Sequence, residues 1–289
     1  MKKILLTGGL GFFCTRFTER YQHTFQILST DKDDLDIVDE QSVLETFKMF
    51  KPDYVIHAAA IADTDFCNKH PEIAYKINVT GAINVAKACK ATGAKMVFIS
   101  TEQVFNGNKE SGPYNETNLP IPNTVYGENK LEAEGLLRNI LDDLWILRFT
   151  WLFGLPERNC SINPNILWNT LALAIKGEKT KITTNEYRGL TYVHELIDQF
   201  SMIFELPFDT YHVGSHNNLS RYDITAYILK ELGLANRIAA LIEKDTDKYS
   251  DQPRDARLCT NKIRQFGFHF SDTTDSITQC LKEFQFNIK

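Results

Sequence analysis

The chain predicts an α/β fold, a doubly wound parallel sheet followed by a smaller region packed over the strand ends. Three observations predict it. Short apolar runs of strand length alternate with longer amphipathic segments, a glycine-rich turn follows the first run directly, and the alternation stops near residue 154. Ile4 to Thr7 is the first strand: two lysines precede it and glycines end its apolar run after three residues, too short for the apolar region of a secretion signal. Phe25 to Ser29, Tyr54 to His57, Met96 to Ser100 and Leu144 to Arg148 follow as strands, being β-branched or aromatic runs bounded by charges or turn residues. Between them, Glu40 to Phe50, Pro71 to Thr92 and Asn123 to Leu141 carry the apolar spacing of crossover helices. In the second part, Ile166 to Lys176, Asp223 to Leu232 and Thr274 to Phe284 read as helices, and Lys179 to Thr184 as a strand. Two units are therefore expected, residues 1–153 and 154–289, with a late strand at Tyr211 to Gly214 returning to the first. In such sheets a ligand lies in the crevice at the carboxyl ends of the strands.

The composition narrows the function. The 289 residues are 43% hydrophobic and 24% charged, as in a folded globular protein, and no apolar stretch approaches the roughly 18 residues of a membrane span. Thirty-two basic against 37 acidic residues give a net charge of −5, which offers no basic field to a nucleic acid. No membrane and no nucleic acid partner is expected. The six cysteines, Cys14, Cys67, Cys89, Cys160, Cys259 and Cys280, form no CxxC pair and lie at no zinc-ligand spacing, which suits free thiols in a cytoplasm. The seven histidines are read as packing or hydrogen-bonded residues, and no metal site is expected.

Gly8-Gly9-Leu10-Gly11-Phe12-Phe13-Cys14 closes a turn after the first strand and opens a helix. Glycine permits that turn, and the helix start offers free N–H groups and partial positive charge to a pyrophosphate, as in Rossmann dinucleotide sites. Asp31, 20 residues past Gly11 at the end of the second strand, can accept hydrogen bonds from ribose hydroxyls and would repel a 2′-phosphate. This favours NAD over NADP, with NADH or NADPH both open. Cys14 stands where a third glycine is usual and is small enough for close helix packing.

Tyr126-Gly127-Glu128-Asn129-Lys130 sets a phenol and an ammonium on one face of a helix. An adjacent cation lowers the phenol's proton affinity, so Lys130 and a nicotinamide cation are expected to bring Tyr126 toward working pH as a general acid or base. Ser100-Thr101, at the end of the fourth strand, delivers a hydroxyl to the same crevice.

Gly8 with Gly11, Asp36-Ile37, His57 to Ala60, Asn78 with Gly81 and Asn84, Ser100-Thr101, Tyr126 with Lys130, and Arg148 to Gly154 occur in an order that resembles the extended short-chain dehydrogenase/reductases over nearly the whole chain. Leu35 to Ile37, Lys51 to Asp53, Ala74 to Asn78 and the Arg148-x-x-Trp151 pattern are most similar to the dTDP-4-dehydrorhamnose reductases. That resemblance implies Thr101, Tyr126 and Lys130 as the catalytic trio, with Lys130 also on the nicotinamide ribose. Gly8, Gly11, Phe12, Asp31, Asp36, Ile37, Ala58, Ala59, Ala60 and Asn78 would join Tyr126 and Lys130 along the cofactor. Thr101, Glu102, Gln103, Trp151 and Arg254 would meet a nucleotide-linked sugar. The reaction implied is hydride transfer to C4 of a 4-keto-6-deoxyhexose, with Tyr126 as proton donor; a homodimer is compatible with it.

The departures are specific. Glu102-Gln103 stands where these reductases carry Asp-Tyr, and Asn68-Lys69 where some carry metal-holding acids. Gln252-Pro253-Arg254-Asp255 replaces Arg-Pro-x-Asp, so Arg254 or Arg257 would have to serve the diphosphate. An epimerase or dehydratase of the same scaffold is the nearest rival, although a single carboxylate after Thr101 counts against elimination of water. A non-catalytic dinucleotide-binding regulatory subunit, like that of methionine adenosyltransferase, is the rival of another class.

Overall fold

A computed structural model describes residues 1–285. The first half runs β1 (Lys3–Thr7), α1 (Phe12–Tyr21), β2 (Gln26–Thr30), α2 (Glu40–Phe50), β3 (Tyr54–His57), α3 (Thr64–Lys69), α4 (Pro71–Tyr75), α5 (Ala82–Thr92), β4 (Lys95–Thr101), α6 (Val125–Ile140) and β5 (Leu144–Phe149). The second half runs β6 (Trp151–Phe153), α7 (Ile166–Lys176), β7 (Thr180–Thr183), β8 (Glu186–Tyr187), β9 (Leu190–Tyr192), α8 (Val193–Gln199), β10 (Thr210–Val213), α9 (Arg221–Glu231), α10 (Ile238–Leu241), β11 (Ile242–Asp245), β12 (Arg254–Asp255), α11 (Asn261–Arg264) and α12 (Thr273–Glu283).

Six strands form one sheet in the order β10-β5-β4-β3-β1-β2, every pair parallel. Burial on both faces explains the continuous apolar runs: Ile4, Leu5 and Leu6 are all fully buried, with no inside–outside alternation. One face packs on α2, α5 and α6, the other on α1, α7, α8 and α9. The chain leaves β1 for β2 on one side and returns as β3 on the other, so the crevice of the sheet opens at the ends of β1 and β3, where Thr7 pairs with His57. β10 does return to the sheet beside β5, in register Tyr211 to Leu147.

The expected single helix from Pro71 to Thr92 is instead α4 and α5 joined by a π-helical turn, Lys76–Gly81. That turn carries Asn78, and such turns occur where a side chain must be aimed out of helical register. The helix expected from Asn123 begins at Val125, because the Thr124 hydroxyl caps it by accepting from the Gly127 N–H at 3.2 Å. Three short parallel pairs, β6 with β9, β7 with β11 and β8 with β12, build the region over the strand ends.

Candidate active site

The glycine turn is built by close approach. Gly8 has φ +71°, and a Cβ there would stand 2.8 Å from backbone atoms of Ala59, so the turn and the Ala58–Ala60 segment can meet only through glycine. Gly11 caps α1 without a side chain, which leaves the helix start to a ligand. Asp31 lies at this turn: its carboxylate accepts from the Leu10 N–H at 3.0 Å and the Lys32 N–H at 2.8 Å. These features fit a dinucleotide, with an open helix start for the pyrophosphate and an acid at the end of β2 for a ribose. Phe12 belongs to the turn by its backbone alone. Its ring is 5% exposed and lies under the Arg16 guanidinium, 4.1 Å away. Cys14 is buried and burial pushes its thiol up to about 12, so it is a packing residue without nucleophilic character.

Three residues of the expected cofactor bed act through the backbone. Asp36 accepts from the Val38 N–H at 2.9 Å, and Asn84 donates to the carbonyls of Ile37 and Val38 at 3.1 and 3.0 Å, which fixes that turn. Asn78 closes a two-way clamp on Ile61, accepting from its N–H at 2.8 Å and donating to its carbonyl at 3.0 Å. It thereby holds the segment that contains Ala58, Ala59 and Ala60 against the crevice. The Thr7 hydroxyl shares a hydrogen bond with His57 Nδ1 at 2.7 Å beneath it.

At the end of β4 the Thr101 hydroxyl accepts from the Gln103 N–H at 3.2 Å and lies beside the Tyr126 phenol, where it favours the charged phenolate. Ser100 is excluded from the site, because its hydroxyl donates to Glu134 at 2.6 Å. Tyr126 and Lys130 are both buried. Without a nicotinamide, the main influences on the Tyr126 phenol come from groups other than Lys130. Burial pushes the phenol well above its ordinary value, the Glu102 carboxylate pushes it further, and the cation that opposes them is Arg188. Lys130 itself is brought down to about 7 by burial, partly restored by Glu134, and its ammonium rests 4.0 Å from the centre of the Phe98 ring. His57, buried and beside that ammonium, falls to about 3 and is neutral.

Glu102, Trp151 and Arg254, expected on the sugar, lie in a charged cluster completed by Arg188, Glu186 and Arg221, which the sequence reading did not assign to the site. Arg188 pairs with Glu102, stacks 4.7 Å over the Trp151 ring, and lies 3.8 Å from Glu186. Glu186 is 2% exposed and also receives Arg221 at 3.0 Å and Arg254 at 3.5 Å. Arg254, placed there by the pairing of β12 with β8, reaches Gln103 at 3.5 Å. Arg257, the alternative diphosphate ligand, is committed elsewhere: it clasps Asp255 through three nitrogen–oxygen contacts and donates to the Gly112 carbonyl. Arg254 is therefore the guanidinium of this pair that lines a cavity. A cavity of about 430 Å³ lies beside it, lined by Asn106, Thr124, Tyr249 and Gln252 among others, a volume that suits a small molecule. Nothing local to Arg188 announced its partner 86 residues earlier.

Among the described residues no group of three His, Cys, Asp or Glu side chains is disposed to hold a metal, and no helix is long and apolar enough to cross a membrane. The chain matches the family described as RmlD substrate binding domain over residues 1–286. It is 28% identical to the spore coat polysaccharide biosynthesis protein SpsK of Bacillus subtilis, over 98% of each chain. It is 28% identical to a dTDP-4-dehydrorhamnose reductase of Aggregatibacter actinomycetemcomitans, over 94% of this chain and 96% of the other, and 24% identical to the bovine methionine adenosyltransferase 2 subunit beta, over 92% and 83%. A dTDP-4-dehydrorhamnose reductase of Bacillus anthracis, solved in complex with NADP, superposes with a TM-score of 0.85 over 98% of this chain and 99% of that one at 24% identity.

Proposed function

The chain belongs to the RmlD substrate binding domain family, and from that premise we propose that it is an NAD(P)H-dependent reductase of a nucleotide-linked 4-keto-6-deoxy sugar. The single observation that carries this reading is the buried Tyr126 with Lys130 one helical turn further on α6, beside Thr101 at the carboxyl end of β4.

The bound nicotinamide supplies the hydride. The chain's own work is to orient and to supply a proton. The start of α1 and Asp31 receive the pyrophosphate and a ribose, and Lys130 donates to the other ribose. Thr101 donates to the keto oxygen, and Tyr126 gives its proton to the oxygen at C4 as the alcohol forms. A phenol held above its ordinary value suits this direction, since it stays protonated until a strongly basic alkoxide develops beside it. Elimination of water needs a free acid after Thr101, and Glu102 is engaged by the Arg188 guanidinium.

Reduced-nicotinamide oxidation followed with a panel of nucleotide-linked 4-keto sugars tests the reading. Tyr126→Phe should keep cofactor affinity and lose turnover by about 10²- to 10⁴-fold; unchanged turnover removes Tyr126 from the mechanism. A second reading, a dinucleotide-binding regulatory subunit, is favoured by the similarity to the bovine beta subunit. It predicts cofactor binding with no turnover of any sugar by the unaltered chain.

A further inference from the structure

The cavity of about 430 Å³ beside Arg254 has no part in the chemistry above, and its lining is specific. Asn106 lines it, at the end of the 3₁₀ turn Glu102–Phe105 that follows Thr101. Its side chain is 4% exposed, and the two ends of the amide differ. Oδ1 accepts from the Asn123 N–H at 3.0 Å, which fixes the orientation because the reverse would set two donors against each other. Nδ2 then has no hydrogen-bond partner among the described residues, and a buried donor in that state costs free energy that a ligand acceptor recovers. Another wall of the cavity is the 246–253 loop. Gln252 hangs this loop from the Asn106 segment by donating to the Gly107 and Asn108 carbonyls at 3.4 and 3.0 Å. Tyr249 lines the cavity with φ +62°, a conformation that favours glycine, yet it carries a ring there.

We propose that this cavity seats the hydroxyl-bearing edge of the hexose that reacts at Thr101 and Tyr126, and that Asn106 Nδ2 is the donor that selects one of its hydroxyls. The proposal rests on the reading of those two residues as the reacting end and adds what reads the rest of the ring. Place and charge both support a sugar. The turn that presents Asn106 begins next to Thr101, and Thr124, also in the lining, caps the helix that carries Tyr126. A group in the cavity is thus next to the reacting carbon, whereas in a sugar nucleotide the phosphates and the base lie beyond C1. Asp247 and Asp251 in the lining would repel a phosphate, and Arg254 is already drawn to Glu186 at 3.5 Å. Sugar hydroxyls suit both kinds of wall, since they donate to carboxylates and accept from an amide, while a ring face can lie on Tyr249.

Calorimetric titration of the intact chain saturated with reduced dinucleotide tests this, because reduced cofactor and reduced sugar cannot react together. The ligands are a dTDP-linked 6-deoxyhexose, its congeners lacking the C2 or the C3 hydroxyl, and dTDP alone. The unaltered chain should bind the full sugar about tenfold or more tightly than one of the two deoxy congeners. In Asn106→Ala that preference should disappear, with dTDP affinity unchanged. Tyr249→Gly removes the ring at a φ that suits glycine, so it folds without strain, and should weaken the full sugar about tenfold while leaving dTDP unchanged. Should Asn106→Ala lose its fold with the Asn123 bond, Tyr249→Gly decides alone. A preference that survives in Asn106→Ala, an equal loss for dTDP in either folded variant, or an unaltered chain that binds the sugar nucleotide no better than dTDP overturns the proposal. Turnover of the sugar panel without this preference sinks the proposal alone, whereas absence of all turnover sinks the reductase reading.

Discussion

Lys130 illustrates how one residue carries a stability cost for chemistry. Its ammonium is buried against an aromatic ring, and its affinity for a proton falls from the ordinary 10.5 to about 7. A base whose folded value lies below its unfolded one binds fewer protons folded than unfolded between those two values, so stability rises with pH across that window. Below about pH 7 the group is charged in both states and the full penalty of burying it is present; above 10.5 it has gone. Lys130→Met should therefore melt at a higher temperature than the unaltered chain at pH 6, and the advantage should shrink steadily toward pH 10 in calorimetric scans. An advantage independent of pH would mean that burial leaves the proton affinity of Lys130 at its ordinary value. Asn78 and Phe12 carry a related lesson. A one-residue motif match names the position, yet Asn78 serves by clamping the Ile61 backbone and Phe12 turns its ring into the core, leaving the turn its N–H.

Helix α6 and the 3₁₀ turn after β4 are the elements that make the site, and their contact depends on Gly127. With the Gln103 carbonyl 2.7 Å and the Pro122 side chain 3.0 Å from where a Cβ would lie, any larger residue must push the helix start away from Thr101. Gly127→Ala should cost about 1–3 kcal/mol in chemical denaturation and lower kcat far more than it weakens cofactor binding; full activity would show that the close contact is dispensable. The spacing of Tyr126 and Lys130 was legible because it is local to one helix. The contact that aims them was not, since it joins residues that only the folding of β4 beside α6 brings together. The same limit explains Arg188. Nothing in the sequence around it marks its role, which lies in Glu102, Trp151 and Glu186, from three separate stretches of chain.

Across the whole molecule the sheet was legible from alternation alone, because a parallel sheet covered on both faces requires uninterrupted apolar strands between amphipathic helices. What alternation does not reveal is the buried charge network that joins the halves. Glu134 on α6, fully buried, takes two guanidinium nitrogens of Arg148 on β5 at 3.0 and 2.6 Å and the Ser100 hydroxyl of β4, while the third Arg148 nitrogen reaches His212 of β10 at 3.3 Å. It ties α6 to the strand that returns from the second half of the chain. Its only trace in the sequence is an acid four residues after Lys130 on the same helical face. Glu134→Gln leaves a buried guanidinium without its counter-charge and should cost about 3–5 kcal/mol of unfolding free energy; a variant as stable as the unaltered chain would show the pair to be a spectator. The central claim is transfer of hydride from a dinucleotide in the β1/β3 crevice to a sugar carbonyl at Thr101 and Tyr126. Reduced cofactor carrying deuterium on the transferable position of nicotinamide C4, incubated with a nucleotide-linked 4-keto-6-deoxyhexose, tests it most directly. The account predicts deuterium at C4 of the product sugar with one cofactor oxidised per sugar; product with altered ring stereochemistry, no label and no net cofactor oxidation would contradict it.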